Sequence, residues 1–255
     1  MKTTQLAAQL YTCRDILKTP AEIAATLRRV RAAGYQAVQV SGMGPIAEDE
    51  LLQILDGEGL VCCATHESGE KILNDPMSVV ERLKKLRCQY TAYPFPAGVD
   101  FSDPASIQRL ISGLEASAAL LASHGLGLCY HNHHQEFRKL EGRTILEKIF
   151  DGAPHLQGEP DTYWVQYGGG DSVDWCERLK GRLPLIHLKD FVVNHENIPC
   201  FCEVGAGNLN FPRIIEAAEK SGCQWFIVEQ DTTPGDPVDS LALSFRYLAE
   251  TVCES

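Results

Sequence analysis

Three apolar stretches of this chain end in histidines, lysines or carboxylates, and this repeated arrangement restricts the folds that the chain can adopt. Residues 126–137 (LGLCYHNHHQEF) pass from leucine, cysteine and tyrosine into three histidines, an asparagine and a glutamate. Residues 185–190 (LIHLKD) and 226–231 (FIVEQD) repeat the arrangement. In a parallel α/β barrel the carboxyl ends of the strands meet at one face and form a single site. The three stretches therefore favour a parallel barrel.

Strand-like and helix-like patterns alternate along the whole chain. Strand-like apolar runs begin near residues 5, 37, 60, 89, 126, 156, 183 and 224, and each is followed by apolar residues at helical spacing. Glycines at 34, 59, 125 and 222 stand between a helix and the next strand, as the turns of such folds require. No Gly-x-Gly-x-x-Gly fingerprint follows an early strand, which argues against a doubly wound open sheet. We predict an α/β fold, a single-domain (β/α)8 TIM barrel over residues 1–255.

Residues 190–209 interrupt this alternation, because they show neither the strand period nor the helix period. A loop of this length inside a compact domain is usually a lid or a binding loop. We therefore expect an irregular segment near the predicted site.

The composition limits the partners and the compartment. The chain has 23 Lys and Arg against 34 Asp and Glu, a net charge of −11, which repels nucleic acid and anionic membrane surfaces. No apolar run has the length of a membrane span or a signal peptide, and the ten cysteines suit a reducing compartment. We expect a cytoplasmic protein with no nucleic-acid or membrane partner. The sequence leaves the oligomeric state open, including a homo-oligomer.

Ligand-type side chains stand at the predicted strand ends. They are His66, Glu67, His131, His133, Glu136, Asp161, His187, Lys189 and Glu229. Carboxylates and imidazoles together suit Mn²⁺, Mg²⁺, Co²⁺ or Zn²⁺, whereas a structural zinc site would use thiolates. A buried ammonium at Lys189 needs an acidic cluster or an anionic substrate, and a buried carboxylate at Glu229 needs a cation. Asp161 has two interpretations, a metal ligand or a helix cap. The strand ends therefore predict a divalent metal site.

Five motifs in this order carry a resemblance to a known family. YHNHHQEF, EPDTYWV (159–165), LIHLKD, EVGAGNLNF (203–211) and FIVEQD resemble the sugar phosphate isomerase/epimerase family of xylose isomerase-like barrels, and AQLYTCRD is similar to the opening strand of that family. The resemblance implies a small-molecule sugar substrate and one divalent metal ion, held at the ends of strands five to eight. Carried over to this chain, the implied ligands are Glu136, Asp161, His187 and Glu229. Counting inward positions from Gly125 instead places His131 at the strand-five ligand position.

The resemblance also implies a reaction, the isomerisation or epimerisation of a sugar or keto-sugar through an enediolate. Glu136 and Glu229 are the candidate bases, and Lys189 and His133 would hold hydroxyls or the developing oxyanion. The candidate substrate-binding residues are His66, His131, Trp164 and Phe95. The chain departs from the usual family pattern at Gln135 and at Gln39, where an acid on the second strand is frequent. Both departures concern the shape or polarity of the pocket.

Other activities are compatible with the same scaffold. A metal-dependent lyase or hydrolase of 3-keto-glycosides would use a similar enolate to expel a leaving group. An endonuclease IV-like phosphodiesterase would need about three zinc ions and a basic groove, and the net charge of −11 argues against it. A sugar-binding module without catalysis is a further alternative, because a fold does not guarantee an activity.

Overall fold

A computed structural model describes residues 1–253, and parallel strands form its central sheet. Each strand pairs with its neighbours in chain order and the first pairs with the last, while the sixth and seventh strands adjoin through a single bridge between Asp161 and His187. The sheet thus curls into a nearly closed barrel of eight strands, which confirms the predicted fold. The strands are β1 Leu6–Gln9, β2 Ala37–Val40, β3 Val61–His66, β4 Tyr90–Tyr93, β5 Gly127–His131, β6 Gln157–Glu159, β7 Leu185–Leu188 and β8 Trp225–Val228.

Helices surround this barrel, and their starts follow local sequence chemistry. Pro20, Pro76, Pro104 and Pro237 each stand in a first turn, where the missing N–H costs nothing. The residue before each proline is Thr or Asp, whose side chain caps the helix. The helices are α1 Pro20–Ala32, α2 Glu48–Glu58, α3 Gly69–Asn74, α4 Pro76–Lys85, α5 Pro104–Ser123, α6 Ile145–Gly152, α7 Thr162–Tyr167, α8 Ser172–Arg178, α9 Phe211–Lys220 and α10 Pro237–Thr251. Within residues 1–253, no helix combines the length and the apolar character needed to cross a bilayer.

Apolar residues, most of them alanine or cysteine, form a cluster inside the barrel. Ala7, Ala37, Ala64 and Cys129 belong to an inner apolar cluster with Ile227. Because strand side chains alternate with a period of two, the residue two positions after each of these also points inward. These next residues are Gln9, Gln39, His66, His131 and Glu229. The strand period therefore places a polar layer directly above an apolar floor.

Three segments differ from the sequence-based expectation. Residues 190–209 are not wholly irregular, because Asp190–Val193 pairs antiparallel with Pro199–Cys202. Helices α3 and α7, of six residues each, were not predicted, since a helix this short shows no clear apolar period. Side-chain caps nevertheless define their starts, Ser68 for α3 and Asp161 for α7.

Candidate metal centre and substrate cavity

Four buried side chains converge at the carboxyl ends of β5 to β8. His131, Asp161, His187 and Glu229 each offer one ligand atom, and these atoms lie within 4.8 Å of one another. His131 Nε2 is 3.3 Å from Asp161 Oδ2, and His187 Nδ1 is 3.0 Å from Glu229 Oε2. Two imidazoles and two carboxylates are a suitable donor set for Mn²⁺, Mg²⁺, Co²⁺ or Zn²⁺. The geometry and chemistry of the group therefore fit a divalent cation.

Asp161 caps a helix and also belongs to the candidate metal centre. Its Oδ1 accepts a hydrogen bond from the Trp164 backbone N–H at 3.0 Å and so caps α7. Its Oδ2 faces His131 and lies 3.0 Å from Lys189 Nζ. Because the cap fixes one oxygen, the other is held in the candidate metal centre.

Lys189 balances part of the negative charge. Its buried ammonium lies 3.0 Å from Asp161 Oδ2, 2.7 Å from Glu229 Oε2 and 3.2 Å from Asp231 Oδ1. Burial alone would raise the pKa of Glu229, but the charges of Lys189 and His187 outweigh it and hold this pKa well below its usual value. The three carboxylates form the acidic cluster that a buried lysine requires. The same carboxylates could balance the charge of a divalent cation bound beside Lys189.

Glu136 lies outside this group, although it was a candidate ligand and base. Strand β5 ends at His131, and Glu136 lies in the 3-10 turn Gln135–Phe137 beyond it. It is fully buried, its Oε1 accepts a hydrogen bond from Tyr130 Oη at 3.0 Å, and its Oε2 accepts one from the His133 backbone N–H at 3.1 Å. Burial raises the pKa of Glu136 to about 7. The structure thus places His131, the alternative candidate, at the strand-five position of the group.

A buried network that the sequence analysis did not identify adjoins the group. Glu159 is fully buried, with its Oε2 2.7 Å from His66 Nε2 and its Oε1 2.6 Å from Gln39 Nε2. Gln39 Oε1 accepts a hydrogen bond from Gln9 Nε2 at 2.7 Å and lies 2.6 Å from His187 Nε2. The strand period would have indicated Glu159, because it stands two residues before Asp161 on the same face.

A cavity of about 550 Å³ opens above the candidate centre. Its walls include three of the predicted substrate-binding residues, His66, His131 and Phe95, together with His133. Phe95 is 47% exposed, and its ring packs edge-on against His133 with centroids 5.1 Å apart. The cavity is large enough for a sugar, since ligand pockets are typically about 300–1,000 Å³.

Two buried ring nitrogens lack a hydrogen-bond partner within residues 1–253. They are His133 Nδ1 and Trp164 Nε1, and their rings lie 5.2 Å apart. Trp164 stands beside His133, and Lys189 Nζ lies 5.7 Å from the centroid of the Trp164 ring. Burial lowers the pKa of His133 to about 2, so this imidazole is neutral at physiological pH. A neutral imidazole can donate a hydrogen bond to a substrate hydroxyl or accept one from it.

The chain belongs to the xylose isomerase-like TIM barrel family, whose model matches residues 27–251. This match covers most of the chain and confirms the resemblance found in the sequence. No curated protein matches the chain in sequence.

Solved structures with the same fold cover nearly the whole chain. A sugar phosphate isomerase/epimerase from Parabacteroides distasonis is 20% identical, with a TM-score of 0.82, and the match covers 100% of this chain and 96% of that chain. An L-ribulose 3-epimerase is 13% identical, with a TM-score of 0.76 and coverage of 99% and 96%. A xylose isomerase-like TIM barrel protein from Mycobacterium smegmatis in complex with magnesium is 14% identical, with a TM-score of 0.76 and coverage of 99% and 98%. At these identities the similarity establishes the fold.

Proposed function

We propose that the protein is a divalent-metal-dependent isomerase or epimerase of a sugar or keto-sugar. The observation that carries this proposal is the convergence of His131, Asp161, His187 and Glu229 beneath the cavity. Two of the structurally similar proteins are described as a sugar phosphate isomerase/epimerase and an L-ribulose 3-epimerase, and a third is a magnesium complex. These likenesses support a sugar substrate and a metal ion.

The four converging side chains would hold the metal ion. When bound, such an ion supplies Lewis acidity, which polarises a substrate carbonyl and acidifies the neighbouring C–H bond. The neutral His133, which lines the cavity, would bind a substrate hydroxyl. His66 would bind a second hydroxyl from the wall of the cavity.

We assign the proton transfer to Asp231, a residue that the sequence analysis did not select. Asp231 lines the cavity, and Lys189 contacts only its Oδ1, so that Oδ2 can accept a proton. Burial raises the pKa of Asp231 despite the charge of Lys189, whereas the pKa of Glu229 is held low. A carboxylate of raised pKa is the stronger base. Glu229 then serves as a ligand, and Lys189 balances the charge of both carboxylates.

Solvent exchange tests this proposal. Protein loaded with Mn²⁺ is incubated in D₂O with a panel of ketoses and 3-keto-glucosides, and the products are followed by NMR. We expect deuterium on the carbon beside the carbonyl, together with an isomer or epimer of one substrate. Asp231→Asn should lower kcat by about 10²–10⁴-fold, the usual contribution of a general base, while Glu136→Gln serves as the matched carboxylate control.

Three outcomes would contradict the proposal in different ways. Release of an aglycone from a 3-keto-glucoside would indicate the lyase or hydrolase instead. Tight binding of a sugar with no exchange would indicate a binding module. Exchange that survives Asp231→Asn but not Glu136→Gln would reverse the assignment of the base.

A further inference from the structure

We propose that Gln39 and Glu159 are positioning residues that fix the ring of His187 with its Nδ1 lone pair facing the metal ion. This inference rests on the metal centre of the proposed function. A series of hydrogen bonds crosses the barrel interior from Glu159 on β6 to Gln39 on β2 and His187 on β7. The atoms that can only donate and those that can only accept determine the direction of each hydrogen bond.

Glu159 fixes the orientation of the side-chain amide of Gln39. Glu159 is fully buried, and an ionised carboxylate can only accept hydrogen bonds. Its Oε1 lies 2.6 Å from the Gln39 amide, a distance at which two oxygens would repel each other. The amide must therefore present its NH₂ group to Glu159, and its carbonyl oxygen must point the other way. Glu159 thus determines which side of the Gln39 amide is the NH₂ group and which is the carbonyl oxygen.

Gln39 in turn requires a hydrogen on Nε2 of His187. Gln39 Oε1, which is only an acceptor, lies 2.6 Å from His187 Nε2 and accepts a second hydrogen bond from Gln9 at 2.7 Å. His187 Nε2 must therefore carry the hydrogen, and in a neutral imidazole Nδ1 is then unprotonated. Nδ1 is the nitrogen that lies 3.0 Å from Glu229 Oε2 and 3.7 Å from Asp161 Oδ2. In this structure Nδ1 also carries a proton, which it donates to Glu229 Oε2. A metal ion bound among these ligands would displace that proton and bind the Nδ1 lone pair.

The two candidate histidine ligands are held by different means. His131 Nδ1 lies 3.3 Å from the carbonyl oxygen of Pro94, so a backbone acceptor leaves its Nε2 free to face Asp161. His187 depends on a side-chain acceptor, and that acceptor depends on Glu159. Hydrogen bonds of this kind orient histidine ligands in metal sites, and their loss typically lowers metal affinity by about 10–100-fold.

A second cation site is the competing interpretation of the same atoms. His66, Glu159 and His187 also bring ligand-type atoms close together. However, Glu159 already contacts His66 and Gln39 at 2.7 Å and 2.6 Å, and His187 Nε2 already faces Gln39 Oε1. These contacts form a complete hydrogen-bond network, so we favour the network over a second ion.

Four variants of the full chain test the inference through metal affinity. Mn²⁺ affinity and stoichiometry are measured by EPR, and circular dichroism checks that each variant is folded. Gln39→Leu and Glu159→Gln should each weaken binding by about 10–100-fold. The double variant Gln39→Glu/Glu159→Gln should recover most of the loss, because the carboxylate at position 39 still accepts from His187 and the amide at position 159 can donate to it. Gln9→Leu, which removes a donor but keeps the acceptor, should bind like the wild type.

NMR of the histidine ring nitrogens in Zn²⁺-loaded protein provides a readout other than activity. Comparison with His187→Gln assigns the signals, and we expect His187 with a protonated Nε2 and a coordinated Nδ1. Coordination through Nε2, unchanged affinity in Gln39→Leu, or two Mn²⁺ ions per chain would each overturn the inference while leaving the metal centre intact. A wild-type chain that binds no Mn²⁺ would overturn the proposed function as well.

Discussion

Two buried glutamates show how the surroundings of a side chain decide its chemistry. Glu229 lies beside Lys189 and His187, whose charges outweigh burial and hold its pKa well below the usual value. Glu136 is buried equally deeply, but it contacts only a tyrosine hydroxyl and a backbone N–H, and burial raises its pKa to about 7. The first carboxylate is therefore suited to a cation, and the second carries an energetic cost whenever it is ionised.

This cost predicts a pH dependence of stability for Glu136. Its pKa rises from 4.5 in the unfolded chain to about 7 in the fold, so its contribution to stability is full below pH 4.5 and is lost as the pH rises through 7. The loss is on the order of 3 kcal/mol. Glu136→Gln should remove it, because an amide can accept from the His133 N–H and donate to Tyr130.

Urea unfolding at pH 5 and pH 8 measures this effect. Between pH 5 and pH 8 the free energy of unfolding should fall more in the wild type than in Glu136→Gln. At pH 8 the variant should be the more stable protein. An equal pH dependence in both proteins would show that Glu136 has the same pKa in the folded and the unfolded chain.

Asp190 holds the segment of residues 190–209, which follows β7. Its buried carboxylate accepts hydrogen bonds from the backbone N–H groups of Phe191, Gly205, Gly207 and Leu209, at 2.7 to 3.2 Å. A Cβ at Gly207 would lie 2.6 Å from Asp190 Cγ, so the close approach requires glycine. The same segment carries Phe201, whose ring centroid is 5.7 Å from that of Trp164. One carboxylate thus fixes the segment that places Phe201 beside Trp164.

Asp190→Asn should loosen this segment without removing the metal centre. An amide nitrogen cannot accept the N–H groups, and leaving such groups unsatisfied costs about 1–3 kcal/mol. We expect faster proteolysis within residues 190–209 and a higher KM, with unchanged Mn²⁺ affinity. The exposed Asp174→Asn is the matched control. A variant that resists proteolysis like the wild type would contradict this role.

Along the chain as a whole, the alternation of apolar runs and helical patterns was sufficient to predict the barrel. The pattern of apolar runs that end in ligand-type side chains also predicted His187 and Glu229 as residues of the site. It could not decide between His131 and Glu136, because that choice depends on where β5 stops and the 3-10 turn Gln135–Phe137 begins.

The buried network was beyond sequence analysis for a different reason. Gln39 and Glu159 are 120 residues apart, and they meet only because the barrel brings the ends of β2 and β6 across its interior. A contact of this kind depends on the closure of the whole barrel, and a local period does not encode it. Glutamine at position 39 was noticed as a departure from the family pattern, but its role appears only when Glu159 lies opposite.

His131, Asp161, His187 and Glu229 lie at the carboxyl ends of four successive strands, and we propose that they bind one divalent ion. Titration of the purified chain with Mn²⁺, with the bound fraction followed by EPR, tests this claim most directly. We predict one ion per chain, an affinity reduced by at least about 10-fold in Glu229→Gln, and an unchanged affinity in Glu136→Gln. Absence of binding to the wild type, or a loss of affinity in Glu136→Gln but not in Glu229→Gln, would contradict it.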